Sequence, residues 1–319
     1  MKSFITCIFF LIISISVFSA DVTKNTYIYD IKGNDTLRLD KYDCEVMSQN
    51  RPCVIFLFGG SFIGGKRDRK SYEKYFQELA NEGYVVVSAD YRRGLLPTAE
   101  AFARGQKVGA RQIVKNLQDA IDMAIEDLFD ATNYIISQSN NWHVDTQKIL
   151  LSGSSSGAIT ALQAEYYLHS TYSELPKKLP PHFDYAGVIS FAGAIFSTKG
   201  KPAWASQPAP ILFFHGDADK NVPYDKAKIF SIGFFGSKFL TNQLDEMKSP
   251  YQFFDYNNAN HQIANTPMTD KLPEIKRFIY DWVIQKAKKN EHTRITDYSL
   301  PDVPKKFGIA DYIKSNFKD

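Results

Sequence analysis

The chain is poor in cysteine, with three in 319 residues. That excludes a small scaffold stapled by disulfides and a framework of thiolate metal ligands, both of which need thiols at higher density. It is equally poor in net charge: 38 basic against 35 acidic side chains leave +3 at pH 7, too little and too evenly spread for the basic footprint of a nucleic-acid binder. Glycine (18) and proline (14) are near average, which excludes collagen-like and low-complexity chains. No internal repeat or composition shift marks a second domain. What is present is a 44% apolar, 23% charged chain, apolar enough to build a core and long enough for one large domain with inserted loops.

The first twenty residues stand apart. They carry Lys2 and no acid, then a mainly apolar stretch over residues 4–18 that ends in the small Ser19 and Ala20, the pattern of a secretory signal peptide. As a helix that stretch reaches only about 22 Å, short of a hydrocarbon core of roughly 30 Å. Export and cleavage are therefore expected, with a secreted or periplasmic protein that keeps no stable membrane span. Beyond that segment lie Cys44 and Cys53, on either side of the turn-like Ser48, Gln49, Asn50, Arg51 and Pro52. In an oxidising compartment they are expected to face each other across a hairpin as a disulfide, two buried thiols being the alternative.

Strand-like runs at residues 54–58, 84–89, 148–152, 186–191 and 211–214 alternate with helix-period segments at 72–82 and 111–137. In the longer helical segment Ile113, Leu117, Ala120, Ile121, Ala124 and Leu128 recur at spacings of three and four, the stripe of a half-buried helix. The alternation predicts an α/β fold, a mostly parallel twisted sheet with helices on both faces. A last helix is expected from residue 271 or 272 to about 288, with Pro273 in its first turn. The expected division is a leader at 1–20, one α/β domain at 21–288 and a polar C-terminal extension at 289–319, wrapped on through Tyr298, Phe307 and Tyr312 or frayed.

Directly after the run 148–152 stand Gly153, Ser154, Ser155, Ser156 and Gly157, followed by small helix-forming residues. This is G-x-S-x-G between a strand and a helix. A serine on so sharp a turn sits in strained backbone with its hydroxyl exposed, and flanking glycines remove side chains that would block the turn. Ser155 is the candidate nucleophile. The backbone N–H of Ser156 points to where an oxyanion would form, and the side chains of Ser154 and Ser156 read as bystanders. The arrangement resembles the nucleophile elbow of the α/β-hydrolases, which implies the chain order serine, acid, histidine.

A serine hydroxyl needs a base, and the base needs a carboxylate to hold its tautomer. Of six histidines (143, 169, 182, 215, 261 and 292), only His261 and His292 come late enough. His292 sits in a charged run, whereas His261 follows the strand-like 252–256 on a loop before the last helix, so His261 is the candidate base. His215 reads as a structural strand-end histidine. In the stretch from His215 to Pro223 both Asp217 and Asp219 stand as acids. That stretch resembles the HGxxDxxVP segment of α/β-hydrolase esterases and peptidases, which implies Asp219 and leaves Asp217 as a turn residue capping its own backbone.

Phe58, Gly59, Gly60, Ser61 and Phe62 resemble the HGGG[WF] motif of hormone-sensitive-lipase-like esterases. The resemblance implies an oxyanion hole made by the backbone N–H groups of Gly60 and Ser61 together with that of Ser156. Phe58 departs from the motif's histidine and Ser61 from its third glycine. Ala89, Asp90, Tyr91 and Arg92 resemble the VDYR segment of the same enzymes. Taken together, residues 54–288 resemble an exported carboxylesterase of the feruloyl or acetyl esterase kind. That implies a serine hydrolase acting on small-molecule or polysaccharide-linked esters, with no metal and no organic cofactor.

Two rivals stand beside this. A peptidase of the prolyl-oligopeptidase type shares the elbow and HGxxDxxVP, but the about 130 residues before the elbow leave no room for its usual propeller. An inert binding module on the same scaffold usually lacks a triad member. Residues 60–66 also satisfy G-x-x-x-x-G-K, but Arg67 stands where a phosphate-binding loop needs Ser or Thr. Phe230, Phe234, Phe235 and Phe239 either line an acyl pocket or belong to the core, and residues 94–109 form a wall or a short lid.

Overall fold

Val54 to Leu57 and Val85 to Val87 are wholly buried, as continuous apolar runs are when helices cover both faces of a parallel sheet. A computed structural model describes residues 21–44, 48–308, 311 and 315; the expected leader at 1–20 and Tyr312 lie outside them. The chain runs β1 (Val22–Lys32), β2 (Asp35–Cys44), β3 (Arg51–Leu57), α1 (Lys70–Asn81), β4 (Val85–Ala89), α2 (Leu96–Ala103), α3 (Ala110–Ser137), α4 (Ser139–Trp142), β5 (Val144–Ser154) and α5 (Ser156–Leu168). It continues through β6 (Gly187–Phe191), β7 (Ala194–Ser197), β8 (Ile211–Gly216), β9 (Lys226–Ile229), β10 (Ile232–Gly236), α6 (Ser237–Met247), β11 (Tyr251–Asn257), α7 (Pro267–Asp270), α8 (Leu272–Phe278) and β12 (Asn290–Thr296).

Among the described residues nine strands form one sheet in the order β1-β2-β4-β3-β5-β6-β8-β11-β12. The β1–β2 hairpin is antiparallel to its neighbours, and every pairing from β4 to β12 is parallel. α1 packs with α7 and α8 over one face, and α3 with α5 over the other. The strands from β3 to β11 thus point their C-terminal ends to one rim, where loops rather than packed helices are exposed. Beneath that rim Phe191, Phe214 and Phe254, in register on β6, β8 and β11, stack at centroid spacings of 5.1 Å.

Three expectations are corrected. The disulfide between Cys44 and Cys53 does not form: both are buried free thiols. β4 lies between β2 and β3, which separates the two cysteines by about two strand spacings, roughly 9–10 Å, beyond the Cα reach of a disulfide. Cys44 Sγ instead lies 2.8 Å from Ala80 O, and burial pushes the Cys53 thiol up to about 12. The polar extension at 289–319 also does not begin outside the domain. Residues 290–296 are β12, parallel to β11 from Tyr251 opposite Asn290 to Asn257 opposite Thr296. Its sequence, NEHTRIT, hides the strand because an edge position buries little, and ion pairs fix it: Arg277 to Glu291 at 2.5 Å and Arg294 to Asp255 at 2.5 Å.

The last helix, third, starts at Leu272 as expected but consists of α8 and a π-helical turn at Ile279–Ile284, so it stops short of residue 288, with Ile275, Phe278, Ile279, Trp282 and Val283 buried as the stripe predicts. Of the phenylalanines in the insertion, Phe234 and Phe235 are core residues of a separate three-stranded sheet, β7-β10-β9, whereas Phe230 is 92% exposed. Among the described residues no helix is long and apolar enough to cross a membrane.

The stacked phenylalanines tie three neighbouring strands together below the rim. Phe214→Ala is therefore expected to destabilise the fold by about 3–5 kcal/mol, read as a lower urea midpoint with an unchanged slope; a loss under about 1 kcal/mol would show that the stack does not hold the rim.

Candidate active site

The rim collects the predicted side chains from three loops. Ser155 joins β5 to α5 with φ 53° and ψ −118°, a conformation that costs free energy and persists only where the surroundings over-determine it. Two close approaches do so. A Cβ on Gly153 would lie 2.3 Å from Gly157 O, and one on Gly157 would lie 2.1 Å from Leu57 O, so only glycine lets the elbow close and α5 settle against β3. Ser155 N donates to Phe191 O at 2.9 Å, which holds the Ser155 backbone to β6.

His261 opens a short 3₁₀ turn, His261–Ala264, after β11. Its Nε2 is 2.8 Å from Ser155 Oγ and its Nδ1 is 2.7 Å from Asp219 Oδ2. A carboxylate can only accept, so Nδ1 carries the proton and Nε2 offers its lone pair to the serine hydroxyl. Ser155, His261 and Asp219, 106 and 42 positions apart pairwise along the chain, therefore form one continuous hydrogen-bonded line.

Asp219 is 2% exposed. Its Oδ1 accepts the N–H groups of Asn221 at 2.7 Å and Val222 at 3.0 Å. Burial alone would push this carboxyl up; the facing His261 imidazole and His215 outweigh it and hold Asp219 well below the usual carboxylate range. His215 Nε2 sits 3.2 Å from Val222 O and 3.4 Å from Asp219 Oδ2, both acceptors, so that nitrogen bears the proton while Nδ1 accepts from Ser237 Oγ at 2.8 Å. His215 thus supports the loop that carries Asp219.

Asp217 does not cap its own backbone. Its Oδ1 accepts the N–H of Asn258 at 2.8 Å, and its Oδ2 pairs with Arg294 and, at 2.8 Å, with Lys305. It ties the acid loop to the histidine loop and to the chain beyond β12. Ser154 is no bystander either: its hydroxyl donates to Ala264 O at 2.8 Å, clamping the turn that carries His261 onto the elbow. Neither link has a local sequence signal, because each partner lies more than forty positions away.

The 58–62 loop lies against the elbow, where a Cβ on Gly59 would meet Ser155 Cβ at 3.1 Å. Gly60 has no room for a side chain, since a Cβ there would lie 2.1 Å from Gly64 O. Ser61 and Phe62 are both left-handed, at φ 55° and 58°. Of the three expected oxyanion donors, Ser156 heads α5, so its N–H has no partner within the helix, and Ser61 stands in the loop facing the elbow. Gly60 differs from the expectation: its N–H donates to Ser156 Oγ at 3.0 Å, so the Ser156 side chain is engaged. Among the described residues no group of three or more His, Cys, Asp or Glu is placed to hold a metal ion.

No protein-family model matches the sequence, and no curated protein matches it. Solved structures of esterase 2 from Thermogutta terrifontis are similar in fold. The apo form is 20% identical with a TM-score of 0.55, covering 85% of this chain and 96% of that one. The butyrate-bound form is 20% identical at 0.56, covering 85% and 95%, and the form phosphorylated by paraoxon is 19% identical at 0.55, covering 81% and 94%. The chain has the α/β-hydrolase fold. Its sheet order and its elbow after β5 take their places in the α/β-hydrolase frame, with the acid loop after β8 and the histidine after β11.

Because the folded Asp219 carboxyl titrates below its unfolded value near 4, its contribution to stability is complete above that value and is lost as pH falls through the folded one. Asp219→Asn is expected to flatten the acid limb of the melting temperature against pH between about pH 4 and 2. Parallel limbs for variant and parent would contradict the depressed carboxyl.

Proposed function

We propose that this α/β-hydrolase-fold protein is a serine hydrolase that cleaves carboxylic esters through an acyl-enzyme. The observation that carries the reading is the line from Ser155 Oγ through His261 to Asp219, at 2.8 and 2.7 Å. Ser155 Oγ attacks the ester carbonyl as its proton passes to His261 Nε2. The imidazolium so formed is held by Asp219, and the oxyanion faces the N–H groups at the start of α5 and in the 58–62 loop. His261 then returns the proton to the leaving alcohol, and a water deprotonated by the same nitrogen releases the acid and frees Ser155.

The substrate class we propose is acetyl or feruloyl esters carried by polysaccharides outside the cell. The apolar segment at 4–18 supports export, with cleavage near residue 20 that N-terminal sequencing of the exported protein tests directly. The likeness to an esterase solved with propionate and with butyrate supports a short acyl group.

Ser155→Ala and His261→Ala are each expected to lower kcat/KM by about 10⁴ or more with folding intact. A fluorophosphonate should label the parent chain at Ser155 and leave Ser155→Ala unmarked. Rates on p-nitrophenyl acetate, butyrate and palmitate, beside methyl ferulate and acetylated xylan, rank the acyl groups. Full activity in either variant would defeat the mechanism, and preference for palmitate would defeat the substrate class.

A further inference from the structure

Two buried hydroxyls beside the site take no part in the proton path. Tyr91 Oη lies 2.6 Å from Phe58 O and 3.2 Å from Ser156 Oγ, and Gly60 N lies 3.0 Å from the same Oγ. Counting donors fixes the direction of this chain. An amide N–H can only donate and a carbonyl can only accept. The Gly60 N–H therefore donates to Ser156 Oγ, the Ser156 O–H to Tyr91 Oη, and the Tyr91 O–H to Phe58 O. Burial pushes the Tyr91 phenol far above its ordinary value, so it keeps the proton that this last link needs.

The chain of bonds begins and ends in the same loop, 58–62. Its two middle members stand outside that loop, Ser156 on the first turn of α5 and Tyr91 two residues past the end of β4. The Tyr91 ring also stacks on Phe58 at 4.4 Å with 17° between planes, so the same side chain grips Phe58 through its ring and through its hydroxyl. The loop needs this restraint. Ser61 and Phe62 are consecutive left-handed residues that are not glycine, and such backbone relaxes unless its surroundings hold it.

We propose that Ser156 and Tyr91 are positioning residues: their hydroxyls pin the 58–62 loop to the start of α5, at the place where the loop's backbone can receive a developing oxyanion. The Gly60 N–H is spent on that anchorage rather than on substrate. This rests on the ester-hydrolase reading above.

Tyr91→Phe and Ser156→Ala each break two of the chain's three bonds while keeping the ring and every backbone N–H. Each is expected to lower kcat on p-nitrophenyl butyrate about tenfold with KM within about twofold, since the loss falls on the transition state. The double variant should fall no further than the worse single one, because both break the same chain. Unchanged kcat, a loss confined to KM, or losses that multiply would each overturn the proposal. Hydrogen exchange at the Gly60 amide gives a readout that needs no turnover. It should quicken in both single variants, and unchanged exchange would overturn the anchorage. A parent protein inactive on every ester, with exchange responding as expected, would instead sink the ester-hydrolase reading and leave the anchorage standing.

Discussion

One buried negative charge organises the rim. A carboxylate taken out of water is tolerated only if its lone pairs are met by donors, and Asp219 is met by two backbone N–H groups from its own loop and by the imidazoles of His261 and His215. That requirement shapes what surrounds it. The acid loop must curl so that Asn221 and Val222 point inward, β11 must deliver a histidine, and the first strand-end histidine must present a proton rather than a lone pair. His261 is thereby fixed in the tautomer that leaves Nε2 free for Ser155. Orientation at the Ser155 hydroxyl is a consequence of charge satisfaction a residue further back.

The second constraint is steric. Leu57 O, Gly157 and Gly153 approach so closely that a side chain at Gly153 would spring the elbow open and one at Gly157 would part it from β3. The loop that follows β3 is brought against Ser155 by the same contact. Backbone strain at Ser155, Ser61 and Phe62 is thus gathered in a volume where packing, the Ser154 clamp and the Tyr91 chain all act on it.

Much of this was legible in the sequence wherever a signal is local. The buried strands are runs of Val, Ile, Leu and Phe; the elbow is five consecutive residues; Asp219 and His261 stand where order and resemblance put them. What was hidden depends on strand order. Cys44 and Cys53 look like hairpin neighbours because only nine positions separate them, but the chain returns with β4 between them. β12 escaped because this edge strand buries none of its residues fully and reads as polar tail. Ser154, Ser156 and Asp217 owe their roles to partners brought near only by the folded sheet, and no pattern around them announces it.

β12 also decides how the sheet ends. An open strand edge is a template on which another chain can add itself. The outermost strand here presents Glu291, held in an ion pair with Arg277, and Arg294, held in ion pairs with Asp255 and Asp217. A further strand laid along it would have to dehydrate and part those charges, so the sheet resists growth at this edge.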